Sequence, residues 1–215
     1  MLEKEVYLKK SDRVTLYCEA VFNNKKQIFF PDGFTTSKYK KRAKKVEWEH
    51  VVPAQNFGRN FSEWYEGDDL CLTSKGKTFK GRRCAEKVNQ EYRLMQSDMY
   101  NLYPAIGAVN ASRSNYNFVM LPNEGSSFGS CVMKITNRKA EPPENARGLI
   151  ARSYIYMHET YKRYKMSSQQ IQLMTAWHKQ FPVSQWECLR GQRIAQLQGN
   201  ESDILESSCS LAGFR

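Results

Sequence analysis

The sequence predicts an α+β protein, with strands in its N-terminal part and a helical C-terminal third. Two observations carry this. Short β-branched and aromatic runs separated by turn residues fill the first fifty positions. Beyond residue 141, apolar residues recur at helical spacing behind recognisable start signals. With 215 residues, of which 40% are hydrophobic and 13% aromatic, the chain is globular and long enough for one sizeable core. A single domain over 1–215 is therefore expected.

In chain order, Val14-Thr15-Leu16-Tyr17 and Gln27-Ile28-Phe29-Phe30 are strand-like and joined across Asn23-Asn24-Lys25-Lys26, so the first forty-five residues read as extended. A third strand runs from Val46 to Val52, and Pro53 stops it. Residues 56–85, rich in Gly, Lys, Arg, Asp and Ser, read as a long surface excursion pinned by Cys71 and Cys84. A helical pattern runs from Lys87 through Leu94 to Met99. Pro104 suits the first turn of a short helix that includes Ile106 and Val109. Residues 111–140 read as irregular apart from a strand-like Cys131-Val132-Met133-Lys134-Ile135. Pro142-Pro143-Glu144 opens a helix with Leu149, Ile150, Tyr154 and Met157 on one face. A second starts at Ser168 and aligns Ile171, Met174, Trp177 and Phe181. A third starts at Ser184, where Ser184 and Glu187 have capping-box spacing, and ends near Gly199. These aromatic and methionine stripes are core, not cofactor sites.

The formal charge is +11 and the sequence pI about 9.4, a surface suited to a polyanion. Six of the nine residues 37–45 are basic. The six cysteines, Cys18, Cys71, Cys84, Cys131, Cys188 and Cys209, show no Cys-x-x-Cys spacing. Disulfides in an oxidising compartment fit them better than zinc. A Cys71–Cys84 pair would close a short polar loop; the other pairings stay open. No stretch is long and apolar enough to span a membrane. Met1-Leu2-Glu3-Lys4-Glu5 holds no apolar signal core, so the chain reads as either cytosolic or a mature form with an added methionine, and the cysteines favour the second.

The basic run ends at Val46-Glu47-Trp48-Glu49-His50-Val51-Val52-Pro53-Ala54. An acid beside a histidine, in an otherwise apolar strand, suits metal-assisted hydrolysis: a carboxylate holds a hard cation and a neutral imidazole takes a proton from water. Glu49 supplies a carboxylate oxygen, and Asn110 an amide oxygen. One tension stands, because adjacent residues of a regular strand point to opposite faces. Both can serve one site only where the strand ends, twists or bulges. His158 and His178 sit on helices with apolar stripes and read as core-edge residues. Asp68, Asp69, Glu63 and Glu66 read as a solvated acidic loop. No Walker A loop, Gly-x-Ser-x-Gly elbow or His-Glu-x-x-His motif occurs.

Several motifs in fixed order carry a resemblance. They are Trp48-Glu49-His50-Val51-Val52-Pro53-Ala54 with Phe57-Gly58, and Arg93-Leu94-Met95. Asn101-Leu102 with Pro104-Ala105-Ile106-Gly107, and Val109-Asn110 with Arg113-Ser114-Asn115, follow. Ala146-Arg147-Gly148 with Ile150-Ala151-Arg152, Trp186-Glu187-Cys188 and Gln198-Gly199-Asn200 complete the set. Over residues 14–200 the chain resembles the bacterial endonuclease I family of periplasmic and secreted nucleases. The resemblance implies a ββα-metal (His-Me finger) nuclease with one metal ion. The general base falls on His50 and the metal ligands on Glu49 and Asn110. A phosphate-contacting arginine before a loop cysteine falls on Arg82 or Arg83, with Arg82 preferred because it follows Gly81. The expected cofactor is Mg²⁺, with Mn²⁺ or Ca²⁺ as substitutes. The expected partner is DNA, with RNA left open, and the expected state a monomer with no membrane partner. Lys44, Lys45, Arg83 and Arg113 are the expected DNA-binding residues, the products 5′-phosphate and 3′-hydroxyl ends, and the location periplasmic or secreted. Two departures stand out: Ala20 replaces a cysteine common among relatives, and the tail reads Glu201-Ser202-Asp203. A non-catalytic basic module that binds nucleic acid or an acidic glycan is the competing reading. A third is a cytosolic nuclease for foreign DNA.

Overall fold

The computed structural model describes residues 1–214. The N-terminal segment is less extended than its composition suggests. Leu2–Val6 form a wide helical turn and Lys10–Asp12 a 3₁₀ turn, and Arg193 ties this region to the C-terminal helices by donating to Val6 O (2.5 Å) and to Asp12 (2.8 Å). The predicted strand at Val14–Tyr17 does not form. Only Val14 bridges, to Val21, while Leu16 N donates to Pro104 O at 2.8 Å. The first hairpin pairs β1 (Val21–Phe22) with β2 (Ile28–Phe29) across the expected polar turn. A short helix, α1 (Lys40–Ala43), takes up part of the basic run.

The ribbon that carries the site follows. β3 (Val46–His50) pairs antiparallel with β4 (Leu102–Ile106), with Val46 opposite Ile106 and His50 opposite Leu102. The short helix predicted from Pro104 therefore starts later, as α6 (Gly107–Arg113). Pro104 is tolerated in β4 because its carbonyl, and with it the side of the chain where its N–H is missing, faces Leu16 rather than β3. Gly107 lets α6 start close against the ribbon: a Cβ there would sit 2.5 Å from Arg42 O and 2.8 Å from Glu47 Oε1.

The excursion between these strands is more ordered than predicted. It holds α2 (Ala54–Gly58) and α3 (Ser62–Tyr65), then α4 (Arg82–Val88) and α5 (Gln90–Ser97). Aromatic packing explains it: Phe57, Phe61 and Trp64 all contact the buried Tyr92 ring at centroid distances of 5.5–5.9 Å. The acidic residues of this loop serve local structure. Asp68 accepts from Leu70 N (2.8 Å) and Glu63 from the Asn89 amide (2.8 Å).

Residues 111–140 contain a small sheet in the order β5 (Asn117–Phe118), β7 (Lys139–Glu141), β6 (Lys134–Thr136); β5 runs parallel to β7 and β6 antiparallel to it. The three expected helices are α7 (Glu144–Thr160), α8 (Ser168–Gln180) and α9 (Gln185–Gln198), followed by α10 (Asp203–Leu211). The face of α7 is core: Ala146, Ile150, Ala151, Tyr154 and Met157 are all buried. At α9 half of the expected capping box forms. Ser184 Oγ accepts from Glu187 N (3.1 Å), but the Glu187 carboxylate clasps buried Arg152 with two 2.6 Å bonds instead. Gly199, at φ +77°, ends α9 in the left-handed conformation that glycine reaches without strain.

All six cysteines pair. Cys71–Cys84 forms as expected, spanning 13 positions; Cys18–Cys131 spans 113 and Cys188–Cys209 spans 21. On chain-entropy reasoning the short link contributes about 3 kcal/mol and the long one about 4.7 kcal/mol. Native protein should therefore titrate with no free thiol. Reduction should lower its thermal midpoint and its activity together, and full activity after reduction would show the links to be dispensable.

Candidate active site

The end of β3 is held open by one side chain. Asn101, fully buried, accepts from Val52 N (2.7 Å) and donates to Val52 O (3.0 Å), while its own carbonyl accepts from Val51 N (3.0 Å). This clamp fixes the chain where it leaves the strand. The tension between Glu49 and His50 is resolved there. The two side chains leave opposite faces, yet both line one cavity of about 460 Å³ at the ribbon's end, together with Arg82, Asn110, Arg42 and Trp48.

His50 is partly buried, and its Nε2 lies 2.8 Å from the Gln96 carbonyl oxygen. A carbonyl can only accept, so Nε2 carries the proton and Nδ1 keeps its lone pair. The imidazole pKa is lowered to about 4, chiefly by burial, with nearby Arg82 and Arg113 acting in the same direction. The ring is therefore neutral near pH 7. Gln96 also accepts from Arg82 Nε through its side-chain oxygen (2.7 Å), so one residue positions both groups. Arg82 stands at the start of α4, beside Cys84 of the Cys71–Cys84 link.

Asn110, on α6, donates through Nδ2 to Glu47 (2.9 Å), which is itself held by Arg42 (2.7 and 2.5 Å). That contact orients the amide and leaves Oδ1 without a donor among the described residues. Glu49 is buried. Its Oε1 accepts from Tyr17 OH (2.7 Å) and Arg113 Nη1 (2.8 Å), and its Oε2 takes no hydrogen bond from any described residue. Burial raises the carboxyl's pKa, and the Arg113 charge and the Tyr17 hydroxyl oppose that rise. Two hard oxygen atoms without donors, one carboxylate and one amide, suit a divalent cation that keeps several waters. Among the described residues no group of three His, Cys, Asp or Glu side chains converges as a metal cluster.

The expected DNA contacts divide. Lys44 and Lys45 are exposed, but outside this cavity; Arg42 of the same run lines it. Arg83 lies over the Phe79 ring at 5.0 Å, so Arg82 alone of the pair faces the cavity. Arg113 is not a surface contact, which corrects the expectation. It is fully buried, donating to Glu49, His50 O (2.8 Å) and Val51 O (2.6 Å), and lies 4.3 Å over Phe118. Gln96, Tyr17, Glu47, Arg42 and Asn101 have site roles that motif reading did not assign. His158 proves local, with Nδ1 accepting from Met166 N (3.1 Å). A larger cavity of about 530 Å³, over α9 and Phe214, brings Trp186 and Leu189 together with Asp12, which Arg193 already neutralises.

The family model described as Endonuclease I matches residues 3–206. The chain is 38% identical over 196 residues to Endonuclease-1 of Buchnera aphidicola subsp. Acyrthosiphon pisum, covering 89% of this chain and 72% of that protein. It is 37% identical over 211 residues to an extracellular deoxyribonuclease of Aeromonas hydrophila, covering 94% and 84%. It is 38% identical over 213 residues to a periplasmic deoxyribonuclease of the same organism, covering 95% and 83%. A match of this extent, over nearly the whole chain, places it in the endonuclease I family.

Proposed function

We propose that the protein is a sequence-nonspecific, metal-dependent endonuclease with a ββα-metal centre formed by β3, β4 and α6. Its substrate is DNA, with RNA left open, and its products carry 5′-phosphate and 3′-hydroxyl ends. The observation that carries this reading is the His50 ring: Nε2 is tied to a carbonyl, and Nδ1 keeps its lone pair on a ring that lines the same cavity as Glu49, Asn110 and Arg82.

In this reading His50 Nδ1 takes a proton from the attacking water. The Gln96 carbonyl holds the ring and stabilises the imidazolium that results. Arg82, kept in place by Gln96, offers paired N–H donors to a phosphate that gains charge during attack. Glu49 and Asn110 would hold a divalent ion, Mg²⁺ with Mn²⁺ or Ca²⁺ as substitutes, and that ion would supply neutralisation of the charge that develops on the phosphate and the leaving group. Lys44 and Lys45 extend the contact along the backbone, where binding is salt-sensitive and blind to sequence. A purely binding module would have no use for a ring nitrogen kept unprotonated in the cavity. The chain acts as a monomer and as a single domain. The three disulfides, and relatives in Aeromonas hydrophila that are an extracellular and a periplasmic deoxyribonuclease, support a periplasmic or secreted location.

The test is plasmid nicking with Mg²⁺ and with EDTA. Relaxed circles should appear only with the metal, and nicking unaffected by EDTA would remove the metal from the reaction. Glu49→Gln should shift the Mg²⁺ titration to higher concentration as well as lower the rate. An unchanged titration would dismiss Glu49 as a ligand.

A further inference from the structure

The β6–β7 hairpin turns through Asn137 and Arg138, whose φ values are +46° and +59°. A two-residue turn with both central φ values positive belongs to the type I′ class, whose second position favours glycine. An arginine there adopts a backbone conformation that costs L-residues energy. Such a position points to a use for the side chain when the side chain meets a site. Arg138 does. With Arg59, the residue that follows α2, it lines a cavity of about 240 Å³ whose other walls include the carboxamides of Gln55, Asn56, Asn115 and Asn117.

Three further features define this cavity. Neither guanidinium makes a hydrogen bond or ion pair with any described residue. No carboxylate lines the cavity. The carboxamides are pre-oriented by one another: Asn115 donates to Gln55 Oε1 and Asn56 Nδ2 donates to Asn117 Oδ1 (3.2 Å), which leaves the Gln55 and Asn117 amide N–H groups free to donate. Gln55 and Asn115 also line the cavity that holds His50, so the two spaces adjoin. Two unpaired guanidinium groups among amide donors are a receptor for an oxyanion.

We infer that this cavity is a second phosphate subsite, which takes a flanking phosphodiester of the strand being cut. The inference rests on the hydrolytic reading above. It adds that the strand must extend past the scissile bond on the Gln55–Asn115 side, and that a strained arginine is retained for this contact. Substrates too short to reach the subsite bind more weakly, and cutting near a strand end on that side is disfavoured.

Arg138→Gly relieves the backbone strain while it removes the guanidinium, so its thermal midpoint should rise by about 2–4 °C. Arg59→Ala is the second variant. In EDTA, binding of a single-stranded oligodeoxynucleotide should show a salt slope smaller by roughly 0.7 for each arginine removed. With Mg²⁺, oligodeoxynucleotides carrying one uncharged methylphosphonate linkage should be cut about tenfold more slowly by the wild type at one fixed offset, the effect of one lost charge-assisted contact. Both variants should lose that offset effect. An unchanged salt slope in both variants overturns the subsite whether or not the protein cuts. A reduced slope with the offset effect intact also overturns it, leaving general backbone contacts. A reduced slope in both variants, together with a wild type that cuts nothing, supports the anion site and overturns the hydrolytic reading instead.

Discussion

His50→Ala is expected to lower DNA turnover by about 10²–10⁴-fold, the usual contribution of a positioned general base, while DNA affinity measured in EDTA changes little. Geometry makes the expectation specific. Nε2 is occupied by the Gln96 carbonyl, so the basic atom is Nδ1, and the ring is already neutral because burial lowers its pKa to about 4. In the proposed reading the charge that would bind DNA lies elsewhere, on Arg82 and Arg42, which line the cavity, and on the exposed lysines, and it survives the substitution. Single-turnover cleavage and a binding isotherm on the same preparation separate the two quantities. Turnover near the wild-type value would take His50 out of the chemistry. A parallel loss of affinity would make the ring a structural or binding group.

Arg113→Met is expected to destabilise the protein by about 3–5 kcal/mol, because the substitution leaves the buried Glu49 carboxylate without its cationic partner. That corresponds to a fall in thermal midpoint on the order of 10 °C for a chain of this size. Burial alone would lower the guanidinium pKa, but Glu49 and the hydroxyls of Tyr17 and Tyr154 outweigh it, so the group stays charged. The same guanidinium holds the His50 and Val51 carbonyls, hence the end of β3. Arg113→Lys keeps the charge but not the planar fork and should recover only part of the loss. Denaturant unfolding measures the effect. Wild-type stability with a reduced salt slope for DNA would restore Arg113 to the surface role its motif suggests.

That misassignment shows where linear reading stops. A basic residue next to a ligand motif looks the same in sequence whether its guanidinium meets phosphate or carboxylate. Arg113 follows Asn110 by one helical turn, which brings it near the site without saying which way it points. The same limit hid Gln96. Its contact to His50 uses a backbone carbonyl forty-six positions away, and a carbonyl has no residue-type signature. Pro104 misled for a related reason: proline suits the first turn of a helix, and only its place opposite Trp48 reveals a strand.

What the chain alone determined was chemical and local. The α+β composition, the helices from residue 144 onward, the Cys71–Cys84 link, and the grouping of Glu49, His50 and Asn110 at one cavity were legible, because helical period, turn chemistry and motif spacing depend on neighbours in sequence. What only the tertiary structure decided was direction and company: which face of β3 meets which wall, that Glu49 shares its carboxylate with Arg113, and that Arg82 rather than Arg83 turns inward. It also decided that Arg59 and Arg138, seventy-nine positions apart, enclose one space. Such pairings arise from packing across long loops, where burial and unpaired charge select among orientations that the local sequence leaves equally open.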